Sequence, residues 1–176
     1  MPGFNIAGAN DPTQKSNTQE TRRKMRWVVT ALGDVLQQDQ LVYLQKCSRP
    51  KFSYDVAEMH HNQEVAKFAS KQKWDDINFS FYDGEQPKDV SKALAGWLST
   101  VTTSWATPGA VTSVAVPSAY KKQGTLEMLD GAGAPTETWT LYGVWPKETN
   151  WQDLDYTNTE IALIDVTVSI DRALRA

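Results

Sequence analysis

Residues 162–170, "ALIDVTVSI", alternate without a break. Ala162, Ile164, Val166, Val168 and Ile170 fall on one side, and Leu163, Asp165, Thr167 and Ser169 on the other. A period of two is the strand period, and a continuous apolar side must be covered by other parts of the chain. Register is fixed as well, because a one-residue slip would turn the whole apolar side to water. The chain must therefore build a sheet with one face buried.

Other segments supply partners for it. "INFSFYD" at 77–83 puts Ile77, Phe79 and Phe81 on one face and Asn78, Ser80 and Tyr82 on the other. "YKKQGTLEMLD" and "TETWTLYGVW" flank the turn "DGAGAP", which predicts a hairpin. "RWVVTAL" and "LVYLQKC", separated by a polar stretch, predict another. The period changes once: Val90, Leu94, Trp97, Leu98 and Val101 recur at helical spacing after Pro87, a residue suited to a first helical position. Residues 102–117 read as a long connection with at most one short strand. The sum is a mainly β (α+β) chain: an antiparallel β-sandwich or barrel-like domain over residues 25–176 with one packed α-helix.

Two stretches resist this pattern. Residues 1–24 form an N-terminal arm, small and polar at first, with Phe4 and Ile6 as its apolar anchors. Such a segment buries too little apolar surface to order itself, so it is expected to pack on a neighbouring subunit. From Asp55 to Lys73 the strand pattern lapses, leaving a long loop. Long unpatterned stretches inside compact domains tend to be functional. Val56, Met59, Val65 and Phe68 are too sparse for a core but can anchor in a partner's groove. Glu58 and Glu64 precede Lys67, Lys71 and Lys73, so opposite charges can meet between subunits.

Composition excludes several classes. The net charge of −3 gives no general grip on phosphate backbones. Cys47 is the only cysteine, so no intrachain disulfide forms, which fits a reducing compartment. Residues 1–20 lack a signal peptide's pattern and no apolar run approaches a membrane span, so a soluble product of a cytoplasm is expected.

No catalytic, cofactor or metal site emerges. Asp153, Asp155, Asn158 and Glu160 are oxygen ligands without the glycine-bent spacing of a calcium loop. His60 and His61 are adjacent, so on a strand they face opposite ways and cannot chelate together. "GAG" at 131–133 lies in a hairpin turn and is no phosphate loop. Cys47 lacks a nameable base. The expectation is a protein without enzymatic activity.

The stretch from 120 onward, "AYKKQGTLEML…TETWTLYGVWPKETNWQDLDYTNTEIALIDVTVSID", resembles the C-terminal half of the tail tube proteins of contractile-tailed bacteriophages. The matching positions are Tyr120, Lys121, Lys122, Gly143, Trp145, Pro146, Leu154, Asp155, Tyr156, Asn158, Glu160 and Ile161. "ASKQKWDDINFSFYD" at 69–83 resembles the run leading into that family's central strand, with Ser70 where the family often has Gly. The resemblance implies a structural virion protein: sixfold rings stacked into the inner tube of a contractile tail, a conduit for DNA ejection. A baseplate tube-initiator or a type VI-like tube ring shares the fold. From another class, a Trp-rich sandwich can be a carbohydrate-binding module if its rings form an exposed platform.

The resemblance further implies that the chain's main partner is itself. Tail sheath lies outside, baseplate and terminator proteins at the ends, and DNA in the lumen without specific binding. Assembly would occur in the host bacterial cytoplasm. The inter-subunit and inter-ring contacts would come from the loop bearing Val56, Met59, His60, His61, Glu64, Lys67 and Phe68. The segment 145–160 is then architecture. Pro146 ends its strand, Trp145 and Trp151 clamp the corner, Asp153 and Asn158 satisfy turn backbone, and Glu160 and Ile161 begin the last strand.

Overall fold

A computed structural model describes residues 23–32, 35–84, 89–102, 113–157 and 159–176. Phe4, Ile6, Pro87 and Asn158 lie outside the described residues. Among the described residues, nine strands and three helical segments follow in order: β1 (Trp27–Leu32), α1 (Gln38–Leu41), β2 (Leu44–Cys47), β3 (Phe52–His61), β4 (Glu64–Trp74), β5 (Ile77–Tyr82), α2 (Val90–Val101), α3 (Pro117–Tyr120), β6 (Lys122–Leu129), β7 (Pro135–Trp151), β8 (Leu163–Ser169) and β9 (Arg172–Arg175). Every pairing is antiparallel.

The body is a seven-stranded sheet in the order β1-β6-β7-β8-β5-β2, with β9 beside β7. The alternating segments sit as their period requires. Ile77, Phe79 and Phe81 of β5 and Ile164, Val166 and Val168 of β8 are buried, and they pair with one another along the two strands. Facing them are Val29 and Leu32 of β1, Leu126 of β6 and Leu141 of β7, all in one core. Helix α2 adds Val90, Leu94 and Trp97 to that core. The Asp89 side chain caps its start by accepting from the Lys92 N–H at 2.7 Å. The Trp97 indole donates to the Tyr120 carbonyl at 2.9 Å, tying α2 to α3.

The β6–β7 hairpin forms as expected, with Asp130 accepting from the Ala132 and Ala134 N–H groups in its turn. The first predicted hairpin does not form. β1 pairs with β6 and β2 with β5, so the two strands stand at opposite ends of the strand order. Between them, Leu36 and Leu41 are buried and α1 occupies the stretch read as a turn. Local polarity predicted a reversal, but two buried leucines gave the linker its own place in the core.

β7 is the organising element. Its first half pairs with β6 and β9, and its second half, Trp145–Trp151, with β8. Between the halves Gly143 has a φ of +66°. The β8–β9 strand bends at the same level, where the Asp171 N–H donates to the Tyr142 carbonyl at 3.0 Å. The sandwich corner is thus made by strands that pass from one layer to the other. A Cβ on Gly143 would lie 2.1 Å from Asp171 Oδ2. That same carboxylate accepts from Lys121 Nζ at 2.7 Å, so the Lys121–Asp171 pair fills the space a side chain would need. Gly143→Ala combines an unfavourable φ with displacement of that pair. It should cost roughly 2–3 kcal/mol in equilibrium denaturation.

Pro146 does not end the strand. It pairs with Val168, a bulge follows before Glu148, and β7 continues to Trp151. This half of β7 is bonded to β8 alone, and a missing N–H is tolerated on an edge or at a bulge. Three residues beyond Pro146, the Thr149 hydroxyl is buried without a hydrogen-bond partner. Thr149→Val keeps the branched shape and removes the unpaired oxygen. It should raise stability by about 1 kcal/mol, read as a higher denaturation midpoint with unchanged slope.

Candidate assembly interface

The segment read as a loop from Asp55 to Lys73 is a long hairpin, β3–β4, forming its own two-stranded sheet. Pairing runs from Phe52↔Trp74 to His61↔Glu64, with an irregularity between Tyr54 and Val56. Asn62 turns the tip at a φ of +54°. All of β3, and β4 up to Trp74, is exposed. Because neither face is buried, nothing imposed an alternating pattern, and the period that betrays other strands is missing here.

Register divides the hairpin into two unlike faces. One carries Phe52, Tyr54 and Trp74 at the root, then Val56 with Ala69, Glu58 with Lys67, and His60 with Val65. The root aromatics touch, Phe52 lying 5.7 Å from Tyr54 and 5.3 Å from Trp74 between ring centroids. The other face carries Ala57 with Phe68, Met59 with Ala66, and His61 with Glu64. His60 and His61 therefore face opposite ways. Glu58 bonds Lys67 within the hairpin at 3.4 Å, so this pair of charges is closed inside one chain rather than held open for a neighbour. The apolar residues are bare: Val56, Met59, Val65 and Phe68 are all about half exposed. An isolated two-stranded hairpin is marginal in water, and bare apolar groups on both faces mark it as something to be covered.

The hairpin root is fastened by buried charge. Glu137 of β7 is 2% exposed. It pairs with Arg49, on the link from β2 to β3, and with Arg175 of β9 at 3.4 Å. It also accepts from the Trp139 indole at 2.5 Å. Burial by itself pushes this carboxyl up. The Trp139 and Arg49 hydrogen bonds and the two guanidinium charges outweigh that and hold it below its ordinary value. Asp75 and Lys51 add a second tie across the root at 3.1 Å.

Beside Arg49 a cleft of about 650 Å³ opens between β1 and β2. Trp27, Leu126 and Met128 form its apolar floor, and Lys24, Lys46 and Arg49 its rim. Cys47 lines it too; burial pushes this thiol up to about 12, so it is inert as a nucleophile at neutral pH. Beyond the end of β7, residues 152–157 are exposed. Leu154 is 90% exposed and Tyr156 fully so.

The expected corner residues are placed but not brought together. Trp145 packs against Tyr120, ring centroids 5.9 Å apart, while the Trp151 indole donates to Ser91 of α2 at 2.8 Å. They anchor the two ends of the same half-strand separately. Turn backbone is satisfied by Asp155, which accepts from the Thr157 N–H at 2.8 Å, and this holds its carboxyl below the usual range. No such bond is made by Asp153. Glu160 and Ile161 are exposed and precede β8, which starts at Leu163. The six described Trp residues are buried or half-buried, none of them fully exposed as a stacking platform requires. Among the described residues, no three His, Cys, Asp or Glu side chains cluster as metal ligands, and no helix is long and apolar enough to cross a membrane.

The sequence signature of the family described as "T4-like virus tail tube protein gp19" matches residues 23–173. The chain belongs to that family. No curated protein matches it in sequence. Among solved structures, it is similar to the anti-feeding prophage cap, described as a tube terminating cap, at 18% identity and a TM-score of 0.69, covering 94% of this chain and 97% of that one. It is also similar to a chain of the PVC sheath-tube complex, an extracellular contractile injection system, at 19% identity and a TM-score of 0.64, with 90% and 93% covered. At these identities the likeness establishes the shared fold.

For a tail tube protein the informative residues are the bare ones, and sequence reading missed several. Nothing in the sequence sets Phe52, Tyr54 and Trp74 apart from other aromatics. Glu137 carried a usable signal: it shares parity with Trp139 and Leu141, so a charge was being sent inward and needed partners.

Proposed function

We propose that this chain is the ring subunit of the inner tube of a contractile tail. Six copies close a ring, rings stack inside the sheath, and baseplate and terminator proteins hold the ends. Phage DNA passes through the lumen without being held, and the tube is assembled in the host cytoplasm. The observation that carries this reading is the β3–β4 hairpin, a long arm with apolar groups bare on both faces, which only neighbouring subunits of a tail tube protein would cover. Open strands at both ends of the sheet order support it, since pairing between subunits removes exposed edges. The net charge of −3 suits a conduit for a polyanion.

The test is to concentrate the purified chain and examine it by sedimentation and negative-stain microscopy. Sixfold rings and stacked tubes are expected, with no salt-sensitive retention of duplex DNA. A monomer at every concentration, or micromolar DNA binding with a steep salt dependence, would overturn the reading.

A further inference from the structure

Two features described above remain without a role. One is the β1/β2 cleft, with an apolar floor of Trp27, Leu126 and Met128 under a basic rim that includes Lys24 and Lys46. The other is the loop 152–157, where Leu154 and Tyr156 stand in solvent, at 90% and 110% exposure, flanked by Asp153 and Asp155. Each is half of an interface. An aromatic and an aliphatic side chain held this far into water carry a large unrealised burial energy. The cleft, at about 650 Å³, lies in the size range that encloses small ligands (~300–1,000 Å³) and takes two such side chains. The charges are opposite: acids alternate with the two apolar side chains, and lysines border the floor.

Within the subunit the two halves do not meet: Gln152 at the loop's start turns back to donate to Asp165 at 2.8 Å, while Leu154 and Tyr156 stay in solvent. The loop leaves the body where Tyr82 pairs with Leu163 and the Asp83 N–H reaches the Ala162 carbonyl. The cleft lies toward the other end of β5, where Cys47 pairs with Phe79 and the Ser48 N–H reaches the Asn78 carbonyl. Most of the strand, ~15 Å at 3.3 Å per residue, separates them.

We infer that the loop 152–157 of one copy docks in the β1/β2 cleft of a second copy, Leu154 and Tyr156 on the Trp27–Met128 floor and Asp153 against Lys24. The contact uses different patches on the two partners. Such a contact repeats from copy to copy, closing a ring or extending a stack. This inference rests on the tube reading and names one of its contacts. The Asp155 bond to Thr157 gives the loop its shape in advance, so little ordering is lost on docking.

Charge reversal and crosslinking test it. Asp153→Lys and Lys24→Glu should each raise the concentration needed for half-assembly about tenfold, and the double variant should recover most of the loss. Leu154→Ser with Tyr156→Ser should abolish assembly while leaving the denaturation midpoint of the monomer unchanged. On a Cys47→Ser background, which removes the thiol already lining the cleft, Gln45→Cys and Tyr156→Cys should give a ladder of oxidised oligomers only when both are present. Tubes from the Leu154→Ser, Tyr156→Ser variant, with no ladder from the cysteine pair, would overturn the inference and leave the tube reading standing. A wild-type chain that neither assembles nor, with both cysteines, crosslinks would overturn both. A ladder that appears only after residues 2–20 are deleted would assign the cleft to the arm instead and overturn the docking of the loop.

Discussion

A tail tube subunit whose residues 57–68 are replaced by Asn-Gly folds with wild-type cooperativity and forms no tubes. The replacement leaves Val56 and Ala69, already a cross-strand pair, facing each other across a two-residue turn of the type hairpins favour. It keeps the root contacts of Phe52, Tyr54 and Trp74. What it removes is the outer arm, which is exposed throughout and adds nothing to the buried core. Circular dichroism and urea denaturation should show a midpoint within about 0.5 kcal/mol of wild type, as for surface changes generally. Microscopy at the concentration that gives tubes from wild type should show none. Normal tubes from the shortened chain would mean that the hairpin is not an assembly element.

Loss of the buried carboxylate acts on the subunit itself. Glu137→Ala leaves the Trp139 indole without its acceptor, opens a cavity, and strips Arg49 and Arg175 of their shared partner. The two guanidinium groups are 55% and 54% exposed and can turn back into water. The cost should therefore sit near the low end for a broken buried pair, about 3 kcal/mol, in equilibrium denaturation. The more conservative Glu137→Gln supplies the pH signature. The Glu137 carboxyl titrates below its unfolded value when folded, so its contribution is complete above pH ~4.3 and disappears as pH falls through the folded value. The stability gap between wild type and Glu137→Gln should be constant from pH 6 to 8 and close in acid. A gap that widens on acidification would contradict the assignment.

How much was legible depended on whether a residue's surroundings wrote a period into the chain. β5, β8 and α2 each bury one face, and their alternation or helical spacing is plain in Ile77–Phe81, Ile164–Val168 and Val90–Trp97. The β6–β7 hairpin was announced by its turn. β3 and β4 bury neither face, so thirteen of their residues between Asp55 and Lys73 that pair in register looked like a loop. Pairing of β1 with β6 is a long-range choice that local polarity between β1 and β2 could not reveal. Pro146 misled because its breaking effect depends on whether the missing N–H had a partner to lose, and on this half of β7 it did not. The corner that Gly143, Lys121 and Asp171 make precedes the one expected at 145–160, and it depends on a contact between distant residues that no local period announces.

β7 serves both layers of the sandwich, and this shapes how the subunit reaches its native state. Neither layer can nucleate and persist by itself, because each borrows half of the same strand. The β6–β7 hairpin is local and can form early. β1 must then find β6, and β5 must find β8, across some ninety residues of intervening chain. Long-range pairings of this kind set a slow folding rate, and until they close, the edges of β6 and β8 stand open. The body should accordingly open as a single unit, its amide protons exchanging together through global unfolding. Amides of the β3–β4 arm, outside that unit, should exchange at once in the free subunit and fall silent only in the tube. Hydrogen exchange would then time two events separately: the completion of the subunit, and its capture by neighbours.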